Sequence, residues 1–172
     1  LLLCRLLGVA VRVVPPDEIA VEMTGAAQRL ASEGYRPYTV PGGGHCASGA
    51  QALVDAMDEL SSQCYDLDWR PDYIVHASGT GTTQAGIMAG LDLLSWPTRV
   101  IGISVARRNP RGGEVVREAY EQARQRLGIQ APPRALEFRD EWVGAGYEQA
   151  GECVLRTIRR AARSDALILD PT

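Results

Sequence analysis

The sequence contains no lysine; all 18 of its cationic residues are arginine. A lysine Schiff base, a phosphate-loop lysine and a lysine general base are therefore not supplied by this chain. Aromatic residues are scarce, at 6%, and Tyr35, Tyr38, Trp69, Trp96 and Trp142 are expected to pack or to meet an interface rather than to form a stacking surface for nucleic acid. The four cysteines, Cys4, Cys46, Cys64 and Cys153, lie far apart with no Cys-x-x-Cys pair, so neither a zinc ribbon nor a disulfide framework is expected and a reduced cytoplasmic setting is the default. Only two histidines are present, and no metal site is expected. No apolar run is long enough to cross a bilayer, because Arg5 and Arg12 interrupt the apolar stretch 1–14. The opening Leu1-Leu2-Leu3-Cys4 superficially resembles a lipoprotein cleavage box, but no charged region or long apolar run precedes it. Excess charge is lacking too. With 21 acidic residues against 18 arginines spread along the chain, nucleic acid is not expected as a partner. Residue 1 is Leu, and the sequence reads as an internal piece of something longer.

What remains is the composition of a soluble globular protein. Of 172 residues, 45% are hydrophobic and 23% charged, enough to bury roughly two thirds of the unfolded surface in one or two units. Short β-branched runs alternate with longer stretches of helical period. Strands are expected at 9–14, 36–40, 73–77, 99–105, 136–139 and 166–169. Helices are expected between them, from the spacing of Ile19, Met23, Ala26, Ala27, Leu30 and Ala31 before Gly34, of Ala50, Leu53, Val54, Met57, Leu60 and Cys64, of 83–94, of Val115, Ala119, Ala123 and Leu127 before Gly128, and of Cys153, Val154, Thr157, Ile158 and Ala161. This alternation implies βαβ units and a parallel sheet, an α/β fold. The near-continuous apolar run 73–77 reads as a strand buried on both faces.

One loop carries chemistry. Ser78-Gly79-Thr80-Gly81-Thr82-Thr83 joins the strand 73–77 to a helix. Glycine admits close approach of a ligand to the backbone, the first N–H groups of the helix lack partners, and the helix dipole adds partial positive charge. These are the requirements of a phosphate cradle, with the hydroxyls of Ser78, Thr80, Thr82 and Thr83 as further donors. A tight strand-to-helix turn capped by threonine explains the same residues equally well. Without lysine it is no Walker loop, and without a third glycine at the right spacing it is no dinucleotide loop. Two functions remain open on these residues, a non-catalytic module binding a phosphorylated metabolite and an enzyme holding a phosphorylated cofactor.

His76-Ala77-Ser78-Gly79-Thr80-Gly81-Thr82-Thr83-Gln84-Ala85-Gly86 resembles the phosphate loop of pyridoxal-phosphate enzymes of the tryptophan synthase β-like fold. Its Thr-Gln-Ala-Gly ending resembles the branch containing 1-aminocyclopropane-1-carboxylate deaminase and D-cysteine desulfhydrase. The stretch from Leu1 through Gly8, the turn Pro41-Gly42-Gly43-Gly44, the strand ending Ile103-Ser104-Val105, Gly144-Ala145-Gly146-Tyr147 and Leu167-Ile168-Leu169-Asp170-Pro171 are similar to segments of that branch in the same order. The resemblance implies an incomplete three-layer parallel-sheet architecture, with 1–40 in the smaller domain and 41–172 in the larger, cofactor-binding one. It implies pyridoxal 5'-phosphate as cofactor, with Ser78, Gly79, Thr80, Gly81, Thr82 and Thr83 around its phosphate. Tyr147 would face a small amino-acid substrate as a catalytic residue. The activity implied is deamination or β-elimination, for D-cysteine giving pyruvate, sulfide and ammonia, by a cytoplasmic homodimer. The cofactor-anchoring lysine lies in the family upstream of the part matched by Leu1, so this chain alone is expected to be inactive and poorly stable.

One departure concerns the glycine turn. Where the branch has Ser-Asn after it, this chain has His45-Cys46. Adjacent side chains diverge, so the pair is expected to pack in the loop rather than to act as nucleophile and base. His76 is expected to be a packed histidine, and Arg156, Arg159, Arg160 and Arg163 a solvated helix face.

Overall fold

In a computed structural model, residues 2–15, 17–147 and 149–171 are described. Contacts divide the chain into two units, Leu1–Val40 and Pro41–Thr172. The first contains the short helix α1 (Leu2–Leu6) and α2 (Ile19–Ser32), neither of which buries a residue. α2 stops where its periodicity stops: Gly34 adopts φ +89°, and the N–H groups of Gly34 and Tyr35 return to Ala31 and Leu30. The stretches 9–14 and 36–40 are not strands. A β-branched run becomes a strand only when a neighbour takes its backbone N–H and C=O groups, and no such neighbour is present among the described residues. Val13 is left 76% exposed. The stretch 9–14 is tied instead to α2 by Arg12, whose Nη1 lies 2.7 Å from Glu22 Oε2.

The second unit holds the sheet. Its order is α3 (Ala47–Asp66), β1 (Tyr73–Ser78), α4 (Thr82–Leu93), β2 (Arg99–Ser104), α5 (Arg111–Leu127), β3 (Glu137–Arg139) and α6 (Glu152–Asp165). The strands are parallel in the order β1-β2-β3, with His76 opposite Gly102 and Gly102 opposite Phe138. α4 is apolar on nearly every side and packs against α3, α5, β1 and β2. Met88 and Leu91 are almost wholly removed from water there, each contributing about 2 kcal/mol of transfer free energy. The would-be Cβ of Gly86 lies 2.5 Å from the Ala50 carbonyl oxygen and that of Gly90 2.8 Å from Met57 Cβ, so α3 and α4 touch backbone to backbone. Since Gly86 meets Ala50 and Gly90 meets Met57, the two helices run parallel and start at the same end of the sheet.

β1 is not buried on both faces. Ile74, His76 and Ser78 are covered while Tyr73, Val75 and Ala77 are exposed, Val75 by 61%. Among the described residues only one face of this strand is covered, so the apolar run does not by itself mark burial on both faces. The stretch 166–169 forms no strand, for the same want of a partner as 9–14. α6 is amphipathic but buries nothing, and its arginines face solvent. Trp96 packs against the core, whereas Tyr35, Tyr38, Trp69 and Trp142 are exposed. No disulfide forms, and Cys64 alone of the four cysteines is buried.

The C-terminal end of α4 is closed by charge. Asp92, with its side chain 4% exposed, receives Arg124 at 2.6 Å and Arg134 at 2.5 Å. The Tyr120 hydroxyl donates to the same carboxylate at 2.5 Å and accepts from the Arg134 backbone N–H at 3.0 Å. Arg134 also donates to the carbonyls of Leu91, Trp96 and Thr98. One carboxylate thus ties α4, α5 and the approach to β3 together.

Candidate functional site

The loop between β1 and α4 is fastened from behind. Ser78 is buried and its hydroxyl donates to Gln84 Oε1 at 3.4 Å. Gln84, itself fully buried, donates through Nε2 to the Glu137 carbonyl at 2.8 Å. Its amide lies against Gly102, where a side chain would stand in the way. Arg107 donates to the Gly79 carbonyl. These bonds hold the loop to β2 and β3 and leave its opposite side for a ligand.

That side is shaped by Gly81. It is the residue before α4, with φ +89°, and its would-be Cβ lies 3.1 Å from Val116 Cγ2, so a side chain there meets both strain and a tight contact. No side chain caps α4, which leaves its first N–H groups with the helix dipole behind them. Thr80 Oγ1 lies 3.3 Å from Thr82 Oγ1, and Thr83 is exposed. Of the four hydroxyls expected as donors, that of Ser78 is therefore spent inside the fold.

A second loop completes the wall. The turn Gly42–Gly44 folds so closely over the first that the would-be Cβ of Gly43 lies 2.5 Å from Thr80 Cγ2. His45, next in sequence, shares a 2.7 Å hydrogen bond between its Nδ1 and Thr82 Oγ1. Sequence reasoning found the glycine break but not its destination, because nothing local says that residue 45 meets residue 82. A small cavity of about 110 Å³ beside this contact is lined by His45, Thr82, Gln122 and Arg126 among others.

His76 is half-buried. Its Nδ1 donates to the Ala77 carbonyl at 2.8 Å, while Nε2 is buried without a partner among the described residues. Burial holds its pKa below the ordinary histidine value, against the raising effect of that backbone bond, so the ring is neutral and packed. Tyr147 is 59% exposed. Its neighbours Gly144 and Gly146 line a cleft of about 380 Å³ with Ala77, Ser104, Val105 and Trp142, at the strand ends where α/β sheets bind ligands. The structure thus brings His45, Thr80 and Thr82 together. No group of His, Cys, Asp or Glu among the described residues is arranged to hold a metal ion.

A family model described as "Pyridoxal-phosphate dependent enzyme" matches residues 1–172. The chain belongs to that family. A Pyrococcus abyssi protein provisionally named 1-aminocyclopropane-1-carboxylate deaminase is 30% identical over 173 residues, covering 99% of this chain and 52% of its own length. A D-cysteine desulfhydrase from Klebsiella pneumoniae is 30% identical over 152 residues, 88% of this chain and 46% of its own length. The crystal structure of an ACC deaminase homologue superposes with a TM-score of 0.87 at 29% identity, covering 99% of this chain and 52% of that one. The architecture is thus the expected α/β fold with a parallel sheet, and the chain spans about half the length of the curated relatives it matches.

Pyridoxal phosphate, on which the family depends, suits the residues present. The loop combines unpaired helix N–H groups, hydroxyls and a glycine without Cβ, and residues 76–86 include no acidic side chain. A doubly charged phosphate needs donors and no competing anion.

Proposed function

We propose that the protein to which this chain belongs is a pyridoxal-phosphate-dependent lyase or deaminase of small amino acids, acting in the manner of D-cysteine desulfhydrase: β-elimination giving pyruvate, sulfide and ammonia. The observation that carries this reading is the uncapped start of α4 behind Gly81, with Thr80 and Thr82 beside it, in a chain matched throughout by the family model. Bound there, pyridoxal phosphate supplies a conjugated ring that delocalises the electron pair left at the substrate's Cα. The chain's own residues do the holding. The backbone N–H groups of Gly79, Gly81, Thr82 and Thr83 and the Thr80 hydroxyl bind the phosphate, and Ser78 supports them through Gln84. Tyr147 Oη faces the substrate and holds a proton there. The full-length protein works as a cytoplasmic homodimer, as the resemblance to the branch implies.

The test is made on the full-length product as encoded. Purified with pyridoxal phosphate, it is expected to carry the visible absorbance of the bound cofactor through gel filtration and to release sulfide and pyruvate from D-cysteine. Folded protein that takes up no cofactor overturns the reading. Protein that binds the cofactor yet releases ammonia only from 1-aminocyclopropane-1-carboxylate overturns the D-cysteine assignment.

A further inference from the structure

We infer that His45 is a positioning residue of the phosphate site: it is the donor at the inner end of a hydrogen-bond chain, His45–Thr82–Thr80, that turns the Thr80 hydroxyl proton toward the bound phosphate. The inference rests on the placement of phosphate at residues 79–83 proposed above.

The argument is a count of protons. His45 Nδ1 and Thr82 Oγ1 are 2.7 Å apart, and Thr82 Oγ1 and Thr80 Oγ1 are 3.3 Å apart. Each threonine hydroxyl has one proton to give. If Nδ1 accepts, the Thr82 proton is directed to His45. Thr80 must then choose between donating to Thr82 and donating to the ligand, and one contact goes without a hydrogen bond. If Nδ1 carries a proton and donates, Thr82 donates to Thr80 and Thr80 donates outward. Only with Nδ1 as donor are both internal contacts hydrogen bonds while one threonine proton stays available to an anion, and with Thr82 buried that proton is Thr80's. Aligned donors also polarise one another.

The surroundings fix the partners. With His45 in place Thr82 is 4% exposed, and the partners of its hydroxyl are His45 and Thr80. Thr80 is pressed against the glycine turn that carries His45, at the would-be Cβ of Gly43. His45 itself is exposed, so its replacement leaves no cavity in the core. The chemistry recognised is a phosphate dianion, and His45 acts on it through Thr82 and Thr80 rather than by touching it.

Dissociation constants for pyridoxal phosphate and for inorganic phosphate, measured on the full-length product and its variants, test the chain. His45→Ala is expected to weaken both by roughly tenfold, the effect of one lost charge-assisted hydrogen bond. His45→Asn is expected to recover most of the loss, because its Nδ2 stands as far from the backbone as the histidine Nδ1. In a Thr82→Val background, His45→Ala is expected to have no further effect. Labelled-histidine ¹⁵N spectra, with the His45 signals assigned by their loss in the His45→Asn variant, are expected to show Nδ1 protonated in the phosphate-loaded protein. Wild-type affinity in His45→Ala, additive losses with Thr82→Val, or a bare Nδ1 in the loaded state each overturn the inference. Folded wild-type protein that binds neither probe overturns the phosphate site itself.

Discussion

At its C-terminal end α4 delivers Asp92 to two arginines and a tyrosine, and each of these groups is matched: carboxylate to guanidinium, guanidinium to carbonyl, hydroxyl to carboxylate. At its N-terminal end the same helix begins on a glycine with no capping side chain, and its hydroxyls face one another and a histidine. Both ends are rich in polar groups and both are held against the sheet. They differ in what is left over. A helix end whose polar groups satisfy one another stabilises the fold and is finished. An end that keeps donors unspent is stable only because the loop behind it is fastened elsewhere, here through Ser78, Gln84 and Arg107, and the surplus is what the proposed phosphate would use.

Three substitutions probe this contrast. The largest effect is expected from Asp92→Ala, which strands the charges of Arg124 and Arg134 in a largely buried place. It should cost about 3–5 kcal/mol in denaturant unfolding and leave the phosphate affinity of the molecules that remain folded unchanged. A drop in affinity would mean that the two ends are coupled. Gly81→Ala reverses the pattern. A methyl at φ +89° against Val116 should cost about 1–2 kcal/mol but lower phosphate affinity by roughly tenfold or more, read by titration with inorganic phosphate. Equal affinity would show that the start of α4 is not where phosphate binds. The smallest effect is a gain. Ser95, just past the end of α4, sits at φ +53°, a conformation glycine adopts freely, so Ser95→Gly should raise stability by about 0.5–1 kcal/mol in the same unfolding measurement, with no change in affinity.

The finished end was the less legible of the two from sequence. Asp92, Tyr120, Arg124 and Arg134 drew no reading from the sequence, since the network depends on where α5 and the strand after it return. The unspent end was marked by its local run of glycines and threonines, although a capped turn read equally well there. His45 stood between these cases: its glycine turn was visible, but its meeting with Thr82 is made by the packing of α3 on α4. Helices α2 to α6 were legible from apolar spacing, α2 and α5 down to their ends at Gly34 and Gly128, whereas the short α1 was not expected. The stretches 9–14, 36–40 and 166–169 were misread for one reason: a helix satisfies its own backbone, whereas a strand takes its identity from a neighbour that sequence alone does not supply.

Gly86 and Gly90 face α3 from turns of α4 that never reach the ligand loop. Their bare Cα atoms act as a spacer of minimum thickness. A methyl at either would push the two parallel helices apart, and since both helices start beside the cradle, the displacement would be delivered to its two walls, carrying His45 away from Thr82. The width of the proposed phosphate cradle is therefore gauged by two absent side chains inside the helical layer, and a mutation there is expected to register as a loss of phosphate affinity although neither position lies in the loop.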